Sequence, residues 1–172
     1  APDCDSHTVY LGTSHLSSTP APEAGQPSEP YPYLVDDLVV TALLPELPEP
    51  GDGTSLQFDF EDGTLQGWAP RATADGPATV SVVEGGHDGS AHAAQVTDRV
   101  HQGQGLQLDV AGVLNPGITY QLEAWAKFEG DSAGALTLSS RTRAEGSTTD
   151  SFSNLVQATG VGADWTRIAG SF

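Results

Sequence analysis

The chain of 172 residues is 37% hydrophobic and only 17% charged, and its 23 acidic and 6 basic residues give a formal net charge of −17. An acidic excess of this size repels phosphate backbones and anionic lipid headgroups, so it excludes nucleic acid and membrane surfaces as partners and leaves uncharged partners open. No apolar run approaches the roughly 18 residues of a membrane span, and Cys4 has no second cysteine with which to form a disulfide.

The amino-terminal part, residues 1–43, holds two strand-like runs, Thr8–Leu11 and Tyr33–Thr41, rich in β-branched and aromatic side chains. Between them, the segment Ser17–Pro32 has the serine, proline and glycine content that is typical of a long surface loop. Residues 44–54 then include three prolines and two glycines, a composition that forms neither a helix nor a central strand. We interpret residues 44–54 as a linker inside a single domain.

The main body, residues 55–172, is predicted to be a succession of short strands separated by turns. In Thr119–Phe128 the even-numbered side chains are apolar and the odd-numbered ones are polar, Trp125 excepted, which is the alternation of a half-buried strand. High contents of glycine and proline, 20 and 12 residues, and the lack of long helical apolar spacing favour an all-β fold, an antiparallel β-sandwich. The other predicted strands are Thr79–Glu84, Ala91–Thr97, Gly105–Val110, Ala135–Arg143, Ser151–Gln157 and Trp165–Phe172.

Three patterns in the main body carry a resemblance to a known family. Phe60–Trp68 (FEDGTLQGW) opens with Phe-Glu and ends with Gly-Trp, Leu114–Leu122 contains Pro-Gly-Ile-Thr-Tyr, and Asp164–Phe172 contains Trp, then Ile and a final Phe. In this order they resemble the family-22 and related family-4/9 carbohydrate-binding modules. The resemblance implies a jelly-roll β-sandwich without catalytic activity of its own, secreted to the extracellular space as the accessory module of a xylanase-type glycoside hydrolase.

The last two strands of such a module have their counterparts at the other end of this chain. Ser6–Thr13 resembles the outer strand, and Tyr33–Val40 resembles the closing strand with its paired aspartates. Two explanations are open. The domain is circularly permuted, with residues 44–54 bridging the former termini, or the chain is cut from a tandem array and starts inside one repeat. In both cases we expect residues 1–43 to complete the same sandwich.

The resemblance also implies a sugar-binding groove, in which aromatic rings stack on pyranose faces and planar polar groups bind hydroxyls. Arg71 matches the groove arginine of the family, Tyr10 matches its outer-strand tyrosine, and Phe152 lies near the position of another tyrosine. A glutamate and a loop tryptophan of the family are replaced by Gly12 and Gly103. The implied ligand is a polysaccharide, xylan or mixed-linkage β-glucan, and the missing groups leave open either a different glycan or weakened binding.

Further candidate sugar contacts come from the loop around position 103 and from the tryptophans. Trp68 and Trp165 are expected in the core, whereas Trp125 has Glu123 and Lys127 as neighbours on its strand face, which suits a sugar platform and a core position equally. The additional candidates are His101, Gln102, Gln104 and Trp125.

A structural calcium ion is the expected cofactor, because related sandwiches carry one near the opening Phe-Glu and the closing Asp-Asp. Calcium prefers six to eight oxygen ligands from carboxylates and carbonyls, and two acidic runs brought together across a sheet repel each other without a cation. The alternative is a set of ordinary solvated acids in turns. The candidate metal ligands are Glu61, Asp36, Asp59, Asp37 and Asp88.

An enzymatic function is not favoured by the sequence, because its five histidines show no metal-binding spacing. With 23 acidic residues, a pair of catalytic carboxylates can always be imagined, so that signal has no specificity. The alternative to sugar binding is a structural or protein-interaction sandwich that spaces or positions an attached glycoside hydrolase domain.

Overall fold

The computed structural model describes residues 4–12, 31–43, 55–114, 118–130 and 133–172, with side chains from residue 7 onward. The predicted linker at 44–54 and most of the predicted loop Ser17–Pro32 lie outside the described residues. No helix among the residues that the structure describes has the length and hydropathy needed to cross a membrane.

The described residues form β-strands and one short 3-10 turn at His87–Gly89, so the all-β prediction is confirmed. All nine predicted strands are present with ends that agree to within a few residues, and three short strands, β3 to β5, escaped prediction. The strands are β1 (Cys4–Gly12), β2 (Tyr33–Leu43), β3 (Ser55–Phe58), β4 (Ala69–Thr73), β5 (Gly76–Pro77), β6 (Thr79–Glu84), β7 (His92–Thr97), β8 (Gly105–Asp109), β9 (Thr119–Phe128), β10 (Gly134–Ala144), β11 (Ser151–Val161) and β12 (Thr166–Ser171).

The strands assemble into two antiparallel sheets that face each other across one hydrophobic core, which is the predicted β-sandwich. Sheet I has the order β11-β10-β1-β8-β4-β5, and sheet II has the order β12-β9-β2-β7-β6 with β3 also paired to β2. The even-numbered side chains of β9 are buried between the sheets, as the alternation predicts. The largest fully buried side chains include Tyr33, Phe60, Phe128, Leu11, Leu38, Leu106, Leu122, Leu136, Leu138 and Ile168.

The two amino-terminal strands occupy the middle of the sandwich. β1 pairs with β10 on one side and with β8 on the other. β2 pairs with β9 and β7 in sheet II. Without residues 4–43, each sheet would therefore lose a central strand and would expose the edges of two others.

A β-bulge in β2 changes which side chains face the core. The register with β9 shifts between Asp36 and Val39, and Asp37 has a left-handed φ of 47°. Before the bulge, Tyr33 and Val35 point into the core, and after it the even-numbered Leu38 does so. The extra residue of a bulge shifts the strand's phase in this way, and it leaves Asp36 on the outer face of sheet II.

Tyr33 links the two sheets by hydrogen bonds through the core. Its hydroxyl donates to the carbonyl oxygen of Leu11 at 2.6 Å and accepts from the Leu106 N–H at 3.4 Å. A β-carbon at Gly105 would overlap the Leu11 carbonyl oxygen and come within 2.6 Å of the tyrosine hydroxyl. A glycine at position 105 therefore makes this approach possible, and burial raises the pKa of Tyr33 to about 12.

Replacing Tyr33 with phenylalanine is expected to lower the free energy of unfolding by about 1–3 kcal/mol, because the buried Leu11 carbonyl loses its donor. The folded protein holds the tyrosine proton more tightly than the unfolded chain does, so this stabilisation is complete below pH 10.0, the unperturbed pKa, and is lost as the pH rises through about 12. Urea denaturation at pH 7 and across the alkaline range measures both effects.

The matched control is Tyr31→Phe, which removes the hydroxyl of a ring that is 40% exposed. Its effect is expected to stay within about 0.5 kcal/mol. Equal stabilities of the two variants, or an alkaline transition that persists unchanged in Tyr33→Phe, would contradict the role given to Tyr33.

Candidate functional site

A groove of about 520 Å³ crosses the outer face of sheet I. Side chains alternate along each strand, so those that flank the core residues of β1 and β10 point outward and line the floor of this groove. The register places Tyr10 of β1 between Ser139 of β10 and Gln107 of β8. The groove is lined by Tyr10, Gly12, Arg71, Thr73, Asp75, His101, Gln102, Gly103, Thr137, Ser139 and Asn154, together with Ala72 and Ala74.

Arg71 and Tyr10 form a cation–π pair at the centre of the groove. The guanidinium carbon of Arg71 lies 3.9 Å from the centroid of the Tyr10 ring, and its Nη1 donates a hydrogen bond to the carbonyl oxygen of Gly103. Burial raises the pKa of Tyr10 and lowers the pKa of Arg71, while the attraction between the two groups acts against both shifts. The arginine thus bridges the sheet and the loop that forms one wall.

Phe152 of β11 provides the exposed aromatic ring beside this pair. Its ring meets that of Tyr10 edge-to-face, with 6.4 Å between centroids and an interplanar angle of 65°. The side chain is 57% exposed, so its ring presents an apolar surface to solvent beside the groove. On the neighbouring strand, the Ser139 hydroxyl donates to the Asn154 side-chain oxygen at 3.0 Å, so polar groups continue beside the aromatic ones.

Buried polar groups hold the loop that forms this wall of the groove. The Gln104 side chain is fully buried; its oxygen accepts from the N–H groups of Val100 and His101 at 2.7 and 2.9 Å, and its amide donates to the Gly76 carbonyl at 2.8 Å. Arg99 is also buried and donates to the carbonyl oxygens of Gln104 and Gln102, both at 3.0 Å, among other contacts. These bonds fix the loop against sheet I.

Two glycines allow the strand, the arginine and the loop to pack closely at the groove. A β-carbon at Gly103 would lie 2.8 Å from Arg71 Nη1 and 3.1 Å from the His101 ring, so a side chain here would displace the arginine. A β-carbon at Gly12 would contact the carbonyl oxygens of Gln102 and Gln104 at 3.4 and 3.6 Å. The positions where the resembling family carries a loop tryptophan and a glutamate are therefore close-packed backbone in this protein.

Five of the seven predicted sugar-contact residues come together at this groove. Tyr10, Arg71, His101 and Gln102 line it, and Phe152 contacts Tyr10 at its side. Gln104 lies behind the wall, because its side chain is buried and its amide is used by the loop, which corrects the expectation that it faces a ligand. The sequence analysis missed the lining residues Thr73, Asp75, Thr137, Ser139 and Asn154, although the outward phase of β10 was visible in its alternation of Leu with Thr and Ser.

Of the three tryptophans, Trp68 lies in the core and the other two lie on the outer face of sheet II. Trp68 is 4% exposed and belongs to the core, as predicted. Trp125 lies on the outer face of sheet II, stacked on His87 with 3.8 Å between ring centroids, so it does not line the sheet I groove. Trp165 is only partly buried and lies beside it on sheet II, with the Lys127 ammonium 4.8 Å from its ring centroid, so the core position predicted for Trp165 is wrong.

Oxygen atoms crowd together where the β6–β7 turn covers the outer face of sheet II. A β-carbon on Gly86 would collide with Asp36 Oδ2, the His92 carbonyl oxygen and Ser90 Oγ. Ser90 Oγ also lies 2.6 Å from Glu61 Oε1 and 3.0 Å from the His92 carbonyl oxygen. Glu61 Oε1 also accepts from the His92 N–H at 2.9 Å, so backbone donors serve part of this cluster. Its carboxylate, carbonyl and hydroxyl oxygens are the kinds of ligand that a hard cation prefers.

Asp36 is the buried member of this oxygen cluster. Its side chain is fully buried, and burial raises the pKa of its carboxyl, while hydrogen bonds from the His87 and Asp37 N–H groups at 2.7 and 2.9 Å act in the opposite direction. The pKa of Glu61, on the exposed side, is lowered by the hydrogen bond from Ser90. The two carboxylates therefore approach the cluster from the protein interior and from solvent.

The other three predicted metal ligands lie outside the oxygen cluster. Asp37 faces the His87 ring at 3.2 Å, Asp59 accepts from the Gln66 amide at 2.9 Å, and Asp88 is exposed on the 3-10 turn. Within the described ranges, no three His, Cys, Asp or Glu side chains are close enough to hold a metal ion. The predicted set of five carboxylates thus reduces to two carboxylates with a carbonyl and a hydroxyl oxygen.

One sequence pattern relevant to catalysis escaped the sequence analysis. Gly130–Gly134 reads Gly-Asp-Ser-Ala-Gly, the spacing of a hydrolase nucleophile elbow. Such an elbow requires a sharp turn from a strand into a helix, whereas this segment joins β9 to strand β10. Its serine lies outside the described residues. The structural context of the pattern is therefore not that of a hydrolase.

Comparison with known proteins gives one match. A protein-family model described as a carbohydrate binding domain matches residues 54–172, well over half of the chain. No curated protein and no solved structure shows significant similarity to it. The match covers β3 to β12 and the groove residues of β4, β10 and β11, while β1 and β2 lie outside it.

Gln104→Ala is expected to lower the free energy of unfolding by about 1–3 kcal/mol, because it leaves buried backbone groups of the loop without partners. Gln102→Ala, two residues away with a partly exposed side chain, is the control and should cost less. Thermal and urea denaturation compare the two. A Gln104→Ala protein as stable as Gln102→Ala would show that the loop does not depend on the Gln104 side chain.

Proposed function

The chain belongs to the carbohydrate binding domain family, and from this premise we propose that the groove on sheet I binds a plant cell-wall polysaccharide, xylan or mixed-linkage β-glucan. The observation that carries the proposal is the Tyr10–Arg71 pair in one open groove, with the exposed ring of Phe152 against Tyr10 at its side. The protein is a non-catalytic module that acts for an attached glycoside hydrolase outside the cell.

Each part of the groove has a role in holding a sugar chain. The exposed ring of Phe152 offers an apolar surface for a pyranose face, because the axial hydrogens of a sugar make that face apolar. The Arg71 guanidinium is a planar fork of donors, and its anchor on the Gly103 carbonyl keeps it oriented for paired hydrogen bonds with hydroxyls. Asn154 and Ser139 supply acceptors and donors along the floor of the groove.

Charge supports an uncharged ligand. The net charge of −17 disfavours polyanions such as pectins or nucleic acids, and Asp75 adds a carboxylate to the groove itself. Xylan without acidic substituents and β-glucans are neutral, so they meet no such repulsion.

One observation favours the second candidate function, a spacer or protein-interaction sandwich. The Arg71 guanidinium covers one face of the Tyr10 ring, so this face is not available for stacking unless the arginine moves. Sugar binding then depends on Phe152 as the platform. In the alternative, the cation–π pair simply stabilises a sandwich that positions a neighbouring catalytic domain.

We further propose that the strands of this module follow a shifted order along the chain, as in the family-22 resemblance. The family match begins at residue 54, and yet β1 and β2 supply a central strand to each sheet. Both a circular permutation, with residues 44–54 as the new bridge, and a cut through a tandem array are consistent with this arrangement. The three prolines and two glycines among these eleven positions of the sequence suit a bridge between the former termini.

We also propose that the oxygen cluster at Gly86 holds a structural calcium ion. Asp36 and Glu61 would provide charge, and the His92 carbonyl and the Ser90 hydroxyl would complete part of the oxygen shell that calcium prefers. When bound, the ion supplies positive charge to a buried carboxylate and links β2, the β6–β7 turn and the segment before β4. It has no part in sugar chemistry.

Phe152→Ala and Arg71→Ala are each expected to weaken binding of xylohexaose or cellohexaose at the groove by about tenfold or more, because each removes a direct contact. Arg143→Ala is the matched control: it removes an arginine of the same sheet that pairs with Asp150 at 2.7 Å, away from the groove. Calorimetry measures the affinities, and affinity gels containing xylan or mixed-linkage glucan give an independent comparison. Retardation by neither polysaccharide would contradict the proposal and favour the spacer.

Calcium is expected to stabilise the fold by about 2.7 kcal/mol at a concentration of about 100 times its dissociation constant. Asp36→Asn and Glu61→Gln should each abolish most of this increment, while Asp59→Asn, a nearby carboxylate outside the cluster, should preserve it. Thermal denaturation with calcium and with a chelator measures the increment, and magnesium serves as a second control. An increment that survives in both cluster variants would rule out this position for the ion.

A further inference from the structure

The outer face of sheet II carries a second groove, of about 450 Å³, that the proposed function does not use. It lies on the opposite side of the sandwich from the Tyr10 groove, across β6, β7, β2 and β9. Its size falls in the range of small-ligand pockets, about 300–1,000 Å³. The residues on which the argument depends are Leu34, Glu84, Gln95, Lys127, Glu129 and Ala163.

The floor of the second groove combines an apolar strip with planar polar groups. Leu34 of β2 faces Lys127 of β9 on one side and Gln95 of β7 on the other in the strand register. The Gln95 amide donates to Glu129 Oε1 at 2.7 Å, which orients both groups along the groove. An amide and a carboxylate in fixed orientation are donors and acceptors suited to vicinal hydroxyls.

An aromatic surface continues from one end of this groove. Lys127 connects the groove to this aromatic surface, since its side chain lines the groove and its ammonium lies over the Trp165 ring. Trp165 meets His87 edge-to-face at 5.9 Å, and His87 stacks on Trp125. Both indoles and the imidazole are only partly buried, so this sheet presents a row of aromatic rings at its surface.

The charge, size and side-chain types of the second groove indicate which class of ligand it binds. Two carboxylates, Glu84 and Glu129, line it against a single ammonium, so it disfavours anions. The groove is too small to receive a folded protein surface and too polar for a lipid chain. Aromatic rings beside oriented amide and carboxylate groups are the combination that recognises uncharged sugars, through stacking and paired hydrogen bonds.

We propose that this surface, made by the groove at Gln95 and Lys127 and the rings of Trp165 and Trp125, is a second carbohydrate-binding site for a short neutral oligosaccharide. It shares with the proposed function only the class of ligand and shares no residue with the sheet I groove. A module with sites on both faces can engage two polysaccharide chains at once, which raises its retention on an insoluble wall by avidity.

The three tryptophans make the two sites separable by experiment. Trp68 is in the core, and Trp125 and Trp165 are on sheet II, so the sheet I groove has no indole in its lining. In a nitrogen-15 correlation spectrum, xylohexaose or cellohexaose is expected to shift the indole signals of Trp165 and Trp125 in a saturable way and to leave that of Trp68 in place. Calorimetry on the same samples is expected to give about two sugar molecules per chain.

Site-specific variants test the assignment. Gln95→Ala and Trp165→Phe should each weaken the affinity reported by the indole signals at least about tenfold, and Phe152→Ala should leave that affinity within about twofold of the original. Circular dichroism establishes that each variant is folded, and Gln95→Ala keeps the test valid if the tryptophan variant is not.

The outcomes distinguish the two sites. Saturable indole shifts that vanish in Gln95→Ala support the second site, even if Phe152→Ala has no effect on any affinity and the sheet I proposal fails. Binding that depends on Phe152 but leaves Trp125 and Trp165 unshifted overturns the second site and preserves the first. Indole signals that move with protein concentration without sugar would show that another copy of the chain covers this surface, and they would also overturn the proposal.

Discussion

The hydrogen bond from the Tyr33 hydroxyl to the Leu11 carbonyl joins the two sheets at the strand that carries the groove. Tyr33 stands in the central strand of sheet II, and Leu11 lies between Tyr10 and Gly12 in the central strand of sheet I. The contact is possible because Gly105 offers no side chain at the point of approach. The position of Tyr10 at the floor of the groove thus depends on a polar bond inside an otherwise apolar core, where a lost partner is costly.

The two outer faces of the sandwich repeat one arrangement with different residues. On sheet I a guanidinium lies over Tyr10, and on sheet II an ammonium lies over Trp165. In a chain with only six basic residues, Arg71 and Lys127 thus each lie over one face of an aromatic ring on an outer face of the sandwich. The glycine-bearing loop on sheet I and the oxygen cluster on sheet II then fix the surroundings of each pair.

Sequence reasoning reached most of the fold because long strands with clear alternation, such as β9, are determined by local pattern. It missed β4, because Pro70 argues against a strand in the local sequence. This strand is formed by pairing with β8, a contact that the residues of β4 alone do not predict. The family resemblance located Arg71 and Tyr10. Residue type alone could not distinguish the buried Gln104 from the partly exposed Gln102, because both are glutamines in the same loop. The burial of Gln104 comes from a bond to the distant Gly76 carbonyl, and only the folded chain reveals it.

The placement of β1 and β2 in the middle of the sheets has a consequence for biosynthesis. β1 pairs with β8 and β10, so during synthesis it precedes both of its partners by about a hundred residues or more. Until then, two central strands have unpaired edges, and the nascent chain has a high contact order and a slow, late closure. The acidic residues and prolines of the amino-terminal part disfavour pairing of those edges with other chains, which lowers the risk of aggregation during synthesis.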